Sequence, residues 1–274
     1  MPLTQLNFQP GIDTENTATG AEGRWIDCDK IRFRKGLPQK IGGWAKFSTA
    51  YYVGVGRALE QWFALDGSRL EALGTDRKVY AYASGTSQDI TPIRSTEALV
   101  NAISTTSSSA IVTITDTAHG AIQGDFVTLS SVSAAVGGIP AATLDAEYEI
   151  LSIANVDAYT IQSSATASSA VGPTANCTVN YQLNIGPSEQ TFGYGWGAGN
   201  WNAGTWNTPR TSSQITLDAR LWSINNWGED LIITQKDGGT FEWDTSGGMT
   251  DNRATVIANA PTTSTLSMVS TETR

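Results

Sequence analysis

The sequence predicts an all-β protein, and three features of its composition support this. Charged residues make up only 16% of the 274 residues, against about 25% in an average domain. Glycine is frequent, with 27 residues, and the aromatic share is 9%. Ser and Thr take the place of the missing charges, and Thr, Gly and aromatic residues favour strands and turns over helices. Hydrophobic residues, at 40%, are sufficient for a core and exclude a chain that is disordered throughout.

The net charge of −9 argues against a free nucleic-acid binder held by phosphate neutralisation. We expect no membrane span, because no run of 18 apolar residues occurs. The first five residues lack the basic and apolar regions of a signal peptide, so we expect synthesis in the cytoplasm. Cys28 and Cys177 lie far apart in the sequence and are expected to remain buried thiols.

Charge divides the chain into three segments. Residues 1–94 hold 12 basic and 10 acidic residues, and residues 210–274 hold five basic and eight acidic residues. Between them, from Ser95 to Pro209, eight carboxylates occur without any Lys or Arg. Such a break marks a separate module. We therefore predict an N-terminal arm with a first blade-like sheet (1–94), an inserted small β domain (95–186), and a Gly/Trp-rich loop with a second blade-like segment (187–274).

Short β signals recur inside the predicted insert, separated by turn residues. They are Ile111–Thr115, Phe126–Leu129, Tyr148–Ile153, Tyr159–Ile161 and Cys177–Tyr181. Five short strands are typical of a small β-barrel or β-sandwich. The Ser/Thr/Ala-rich stretch 163–175 is predicted to be a loop or a weakly patterned edge.

Each flank of the insert contains a Trp-led strand followed by two further strands. The predicted strands are Trp62–Gly67, Leu70–Gly74 and Lys78–Tyr82 on one side, and Trp222–Asn226, Asp230–Thr234 and Thr240–Asp244 on the other. Two such meanders resemble propeller blades, although any antiparallel meander gives this pattern. A closed propeller needs about four to eight blades, so this propeller-like antiparallel platform is incomplete. Either the chain is a piece of something longer, or neighbouring copies close the structure, or the blade interpretation is wrong.

Few residues carry the chemistry of an active site. His119 is the one histidine, and its place directly before Gly120 predicts a structural or surface role in a turn. Neither a GxxxxGK[ST] loop nor an HExxH motif occurs. The glycines of 193–199 fail as a phosphate loop, because the aromatic residues between them would crowd a pyrophosphate. We predict no catalytic, cofactor-binding or metal-binding residues and no enzymatic activity.

Three tryptophans, Trp196, Trp201 and Trp206, are spaced by five residues in a Gly-rich stretch. In a strand this spacing would place successive rings on opposite faces, and in a helix it would collect them on no single face, so we predict a loop. Three exposed indole rings would favour aggregation. We therefore expect them against the core or another subunit, and carbohydrate stacking is the alternative.

The N-terminal region contains four motifs in a distinctive order. They are Pro10-Gly11-Ile12-Asp13, Trp25-Ile26-Asp27-Cys28-Asp29, Arg32-Phe33-Arg34 and Gly42-Gly43-Trp44. This order resembles the opening of the tail nozzle or DNA-stabilisation proteins of short-tailed bacteriophages. The Gly/Trp repeat and the segment 222–244 are also similar to that family. Residues 117–120 and 124–127 resemble a small β module of phage tail proteins.

The resemblance implies a structural, non-enzymatic virion protein of the tail, without cofactors. It implies a homo-oligomeric ring, six-fold in symmetry, that continues the DNA channel below the portal and adaptor. Such a ring retains packaged DNA until ejection and anchors tail fibres or spikes. A low-charge, acidic chain is compatible with the passage of double-stranded DNA, because a basic lining would hold the phosphates. The alternative is a receptor- or glycan-binding tail protein that uses the Trp repeat as a sugar platform.

A basic cluster precedes the first blade-like segment. Arg32 and Arg34 alternate around Phe33 on a predicted strand. One hypothesis is that these arginines dock onto an acidic surface of a neighbouring subunit or adaptor, and the other is a solvated strand face with local pairs to Asp27 and Asp29. The predicted contact residues are Arg24, Arg32, Arg34, Trp196, Trp201 and Trp206.

Overall fold

The computed structural model describes residues 9–43, 45–46, 48, 50–189, 218–249 and 252–270. In these ranges nearly every regular element is a strand, and helix is limited to the single turn α1 (Ala141–Leu144) and a 3-10 turn at Thr245–Gly247. The prediction of an all-β protein is confirmed. The described part contains no helix long and apolar enough to cross a membrane. The chain divides into two compact units, Met1–Phe47 and Ser48–Arg274.

The first unit contains one hairpin, formed by β1 (Ile31–Arg34) and β2 (Leu37–Lys40). Its two-residue turn has φ 52° at Lys35 and 78° at Gly36. Two successive positive φ values define the turn type that matches the twist of a hairpin.

In the second unit, four strands form an antiparallel meander that we name the first platform sheet. They are β3 (Gly56–Phe63), β4 (Arg69–Thr75), β5 (Val79–Ala83) and β6 (Thr86–Asp89), in that order across the sheet. β3 already begins at Gly56, so Trp62 lies near its end, where it pairs with Leu70 of β4. The prediction that Trp62 leads its strand was therefore wrong.

The next eight strands form a single antiparallel sheet, which we name the module. They are β7 (Ile93–Leu99), β8 (Ile103–Thr105), β9 (Ile111–Thr115), β10 (Phe126–Ser130), β11 (Glu147–Asn155), β12 (Ala158–Gln162), β13 (Val171–Thr174) and β14 (Cys177–Gln182). Their order is β13-β8-β9-β12-β11-β10-β14-β7. The five strands predicted in this segment correspond to β9, β10, β11, β12 and β14, and β13 forms an edge in the stretch predicted as a loop or edge.

The eight-stranded sheet of the module bends so that its two halves pack against each other around one core. Tyr159 on β12 and Tyr181 on β14 are separated by two strands in the sheet, yet their ring centroids lie 6.0 Å apart. The fold occurs along β11, whose pairing with β12 shifts register twice, as at β-bulges. Since β13 and β7 remain edges, the described strands form no closed barrel, and the predicted sandwich is the better of the two alternatives.

The second platform sheet follows the module and repeats the four-stranded meander. Its strands are β15 (Trp222–Trp227), β16 (Asp230–Gln235), β17 (Thr240–Trp243) and β18 (Thr255–Val256). The two platform sheets bury their apolar faces in one shared core, to which both contribute tryptophans: Trp62, Leu70, Ala72, Val79, Trp222, Ile224, Leu231, Ile233, Phe241 and Trp243. The blade interpretation and the three domain boundaries stay predictions.

Two tryptophans, one in each platform sheet, donate hydrogen bonds from their indole groups to the other sheet. Trp62 Nε1 donates to the carbonyl of Glu229 at 2.8 Å, and Trp222 Nε1 donates to the carbonyl of Thr75 at 2.6 Å. The ring of Trp222 lies so close to Gly74 that a Cβ there would stand 2.7 Å from Trp222 Cδ1. Position 74 therefore requires glycine for the two sheets to approach.

Candidate functional site

The predicted contact arginines lie in the first unit. Arg32 and Arg34 are exposed on β1 and alternate with the half-buried Ile31 and Phe33, as the pattern predicts. Arg32 Nε donates to Gln39 Oε1 at 3.1 Å, across the hairpin. The role of Arg32 and Arg34 in subunit contact stays a prediction.

Arg24 differs from the other two arginines, because it lies outside the hairpin and is already paired. Its Nη1 lies 3.1 Å from Asp13 Oδ2. Asp29 is paired with Lys30 at 3.6 Å, on an exposed surface. The tryptophans Trp196, Trp201 and Trp206 lie outside the described residues.

A charged cluster that the sequence analysis did not predict joins the module to the platform. We name it the junction cluster, and it consists of Lys78, Asp89, Glu147, Gln182 and Arg253. Lys78 Nζ lies 2.7 Å from Asp89 Oδ2 and 2.7 Å from Glu147 Oε2. The ammonium group also stands 4.1 Å from the centroid of the Phe126 ring, and Lys78 is only 3% exposed.

Arg253 completes the junction cluster from the segment that precedes β18. Its Nη1 lies 2.8 Å from Asp89 Oδ1, and its Nη2 lies 3.5 Å from Glu147 Oε1. Gln182 Nε2 also donates to Glu147. The cluster thus connects the first platform sheet, two strands of the module and the segment that leads into β18. A second ion pair, Arg77 with Glu149 at 2.9 Å, lies beside it.

The pKa of Asp89 in the junction cluster is determined by its ion pairs with Lys78 and Arg253. Burial by itself would raise the pKa of Asp89, but the charges of Lys78 and Arg253 outweigh burial and lower this pKa below its ordinary value. The amide of Thr91 also donates to Asp89 Oδ1 at 2.9 Å. Removing one partner of a buried ion pair leaves an uncompensated charge, which is strongly destabilising. The cluster therefore fixes the module in one orientation on the platform.

The lowered pKa of Asp89 predicts a loss of stability in acid. A carboxylate whose folded pKa is depressed stabilises the fold above its unfolded pKa of about 3.9, and this contribution is lost as the pH falls through the folded value. We expect the urea midpoint of the wild type to fall steeply below about pH 4. The fall should be smaller in Asp89→Asn, while Asp218→Asn, at the exposed pair with Lys236, should keep the wild-type slope. Equal slopes in all three proteins would contradict the assignment to Asp89.

His119 has a structural position in the module, in agreement with the sequence interpretation. Its Nδ1 accepts from the amide of Ala121 at 3.0 Å, so the proton is on Nε2, which faces the carbonyl of Asn155 at 3.3 Å. The ring is 6% exposed and packs edge-on against Tyr159. His119 therefore ties a turn to the module core.

Two cavities of the described residues lie beside charged side chains. One, of about 280 Å³, lies beside the Arg24–Asp13 pair in the first unit. The other, of about 580 Å³, lies on the module and is lined in part by Glu147, Glu149 and Gln162. Both of these carboxylates are already paired with platform cations. No group of three or more His, Cys, Asp or Glu residues that could hold a metal ion occurs in the described ranges.

Comparisons with known proteins give little similarity. No protein-family profile matches the sequence, and no curated protein matches it. Among solved structures, the chain is similar to a phage phi92 endosialidase, with a TM-score of 0.30 and 12% identity. The similarity covers 81% of this chain and 40% of that chain, so this chain spans less than half of the length of that protein. A likeness of this degree carries no conclusion about function.

The junction cluster could have been suspected from the charge map. The segment from Ser95 to Pro209, which contains most of the module, has eight carboxylates and no Lys or Arg. A buried carboxylate in such a segment must find its cation in the flanking sequence. The adjacent pair Arg77 and Lys78, close before the module, was the signal.

Proposed function

We propose that this protein is a structural component of a bacteriophage tail. In this proposal it forms a nozzle or tail-hub ring that extends the DNA channel below the portal and adaptor, retains packaged DNA and anchors tail fibres or spikes. The ring is a six-fold homo-oligomer of the virion, and double-stranded DNA passes through it without specific binding. We assign the protein no catalytic role.

The observation that carries the proposal is that motifs of the resemblance meet in one folded unit. Ile12 of the first motif forms a parallel bridge with Trp25 of the second, and the amide of Asp13 donates to the carbonyl of Trp25 at 2.7 Å. The ring of Trp25 lies 6.3 Å from that of Phe33, in the Arg-Phe-Arg motif. Three motifs that are separate in the sequence thus support one another in space, which favours a shared origin over chance similarity.

The junction cluster supports the same proposal. A channel wall must keep its shape while DNA under pressure lies against it, and a module held by an ionic network around the buried Lys78 keeps one orientation. The net charge of −9 disfavours tight binding of the DNA phosphates to the channel wall, because few cations are present to displace the DNA counterions, and this allows the duplex to pass on ejection.

Electron microscopy of the purified full-length protein tests the proposal. We expect rings with a central opening wide enough for a DNA duplex, and the same ring in the tail of intact virions. A protein that is absent from virion tails would contradict the proposed function. A saturable change in Trp fluorescence on titration with host glycans would instead favour the receptor- or glycan-binding alternative.

Charge reversal of the exposed face of β1 tests the contact residues. We expect Arg32→Glu/Arg34→Glu to abolish ring formation in size-exclusion chromatography with light scattering, because the introduced glutamates would repel an acidic partner surface. The circular dichroism spectrum should remain that of the wild type, since both side chains are exposed. The matched control Lys30→Glu/Lys35→Glu carries the same charge change in the same unit and should form rings. Normal rings from the arginine variant, or equal loss in both variants, would argue against this surface.

A further inference from the structure

The hairpin of the first unit concentrates positive charge in a chain whose net charge is −9. Residues 30–40 contain no carboxylate and five cations, which are Lys30, Arg32, Arg34, Lys35 and Lys40. All five residues are exposed. Asp27 and Asp29 precede them, and Asp29 pairs with Lys30 at 3.6 Å. The other four cations of the hairpin have no ion pair within the described residues.

The two arginines of the hairpin lie on its outward face. Ile31 and Phe33 are half-buried, so their side of β1 packs onto the first unit. Because side chains alternate along a strand, Arg32 and Arg34 point to the other side. Leu37 on β2 lies opposite Arg34, shares this outward side and is 70% exposed. We name Arg32, Arg34 and Leu37 the hairpin face.

Three turns meet at one end of the two platform sheets: the turn after β3, the turn between β15 and β16, and the 3-10 turn after β17. The carboxylate of Glu229, in the second turn, accepts from the amide of Leu65 in the first. Asp230, which begins β16, accepts at Oδ1 from the amide of Thr245 in the third turn, at 3.0 Å. These hydrogen bonds hold the three turns together.

The end formed by these turns is acidic. None of its carboxylates belongs to an ion pair in the described ranges, and they are those of Asp66, Glu229, Asp230 and Asp244. Asp66 and Asp244 are exposed, and the other two residues are half-buried. Arg69, at the start of β4, is a cation beside this end, and its guanidinium lies 5.6 Å from the Phe63 ring centroid. Four carboxylates against this arginine leave an excess of negative charge, and we name these four residues the acidic end.

An exposed indole ring lies among these carboxylates. Trp227 is the last residue of β15, lies opposite Asp230 and is 48% exposed. The face of an indole ring attracts a guanidinium group, and Trp and Arg are among the residue types most enriched at the centres of protein interfaces. The acidic end thus offers an arginine both a counterion and an aromatic surface.

We propose that the hairpin face of one copy of this chain binds the acidic end of a second copy, with Arg32 and Arg34 against the carboxylates and the ring of Trp227. This inference rests on the proposed function, for which it names the surface that receives the arginines in the ring. Each surface carries charge that has no counterion in its own copy, and the next copy supplies it. Since the two surfaces differ, the contact is head-to-tail, and such a contact closes into a ring when its rotation divides a full turn.

Charge reversal of either surface tests the contact. We expect Arg32→Glu/Arg34→Glu and Asp66→Lys/Asp244→Lys each to weaken self-association at least about 100-fold in mass photometry, because like charges would then face each other. Wild-type association should also weaken as the salt concentration rises, since both surfaces are exposed.

Two further variants control the acidic end. Glu97→Lys/Glu189→Lys makes the same change of net charge at two exposed residues outside it and should associate as the wild type does. Asp66 and Asp244 each accept from the amide two residues further on, and Asn can keep these hydrogen bonds. Asp66→Asn/Asp244→Asn therefore replaces the lysine variant if circular dichroism shows that the latter is unfolded, and it should weaken association about tenfold.

Combining the two reversals in one chain is the decisive measurement. The combined variant presents an acidic hairpin to a basic end, so its self-association should return to within about tenfold of the wild type. A combined variant as weak as either reversal alone would overturn the proposal and indicate that the hairpin binds a different protein, such as an adaptor. Wild-type association by either reversal alone, or a wild type that stays monomeric, would overturn it as well.

The outcome for the contact and the outcome for the function can be told apart. Rings in virion tails that form normally with both reversals would overturn this contact and leave the proposed function standing. Self-association that the combined variant restores, by a protein absent from virion tails, would support the contact and contradict the function.

Discussion

Replacing Lys78 with Met is expected to lower the free energy of unfolding of the second unit by about 2–3 kcal/mol, less than the about 3–5 kcal/mol for a fully buried ion pair, because the side chains of Asp89 and Glu147 remain 17% and 35% exposed. The ammonium group pairs with Asp89 and Glu147, and after the substitution Arg253 alone faces both carboxylates. Met fills a similar volume, so the loss reports charge rather than packing. Urea unfolding followed by Trp fluorescence at pH 7 measures it.

The control for Lys78 is Lys236→Met, which removes a cation from the exposed pair with Asp218 and should leave the urea midpoint almost unchanged. The double variant Lys78→Met/Glu147→Gln should lose less than the sum of the two single variants, because it removes both charges of one pair. Additive losses, or a Lys78→Met protein as stable as the wild type, would contradict the structural role of the junction cluster.

Replacing Trp222 with Ala is expected to cost about 3–5 kcal/mol of stability, as is usual when a large buried aromatic side chain is removed. The substitution empties the space above Gly74 and leaves the carbonyl of Thr75 without the indole donor. Trp222→Phe keeps most of the packing and loses the hydrogen bond, so its cost should be about 1–2 kcal/mol. Urea unfolding followed by circular dichroism avoids the loss of a fluorophore.

Trp227→Ala is the matched control, since this residue lies on the same strand and is 48% exposed. Its effect should stay within about 1 kcal/mol. A cost at Trp227 equal to that at Trp222 would show that β15 contributes to stability through general strand propensity. Protection of the peptide bonds around residue 75 from proteolysis should likewise disappear in Trp222→Ala and persist in Trp227→Ala.

The strands could be predicted where several neighbouring residues have a strong intrinsic preference for β-structure. Ile111–Thr115, rich in β-branched residues, was found with the bounds that the sequence predicts. Three strands of the module, β7, β8 and β13, were not among the predicted ones. β8 and β13 have only three and four residues, with Ser, Thr, Gly and Pro among them. β7 crosses the predicted boundary at residue 95 and pairs with β14, which is distant in the sequence.

The position of Trp62 shows a different limit. The sequences after Trp62 and Trp222 have similar spacing of apolar residues, which suggested equivalent strand starts. Pairing with β4 extends β3 back to Gly56 and places Trp62 next to last. Register depends on the partner strand, and the local pattern of one strand does not determine it.

The candidate site was less predictable than the fold, because its residues are distant in sequence. Lys78 and Glu147 are 69 positions apart, and Arg253 lies more than 100 residues further along, in the segment before β18. Single charged residues in strands and turns usually remain in water, so no local rule selects these. Only the unequal distribution of charge along the chain indicated that the carboxylates of residues 95–209 would pair with Lys and Arg residues of the flanking segments.

The pairing of β7 with β14 has a consequence for how such a chain can change. Ile93 lies opposite Gln182, and the amide of Leu183 donates to the carbonyl of Pro92 at 3.0 Å, so the polypeptide leaves and rejoins the platform at one place. A different domain could be grafted there without opening either platform sheet. Any such graft would have to bring an anion to the place of Glu147, because Lys78 and Arg253 would otherwise share Asp89 as their only counterion in the cluster. A domain inserted at this place must therefore match the charge of the platform cations as well as the short distance between the two chain ends.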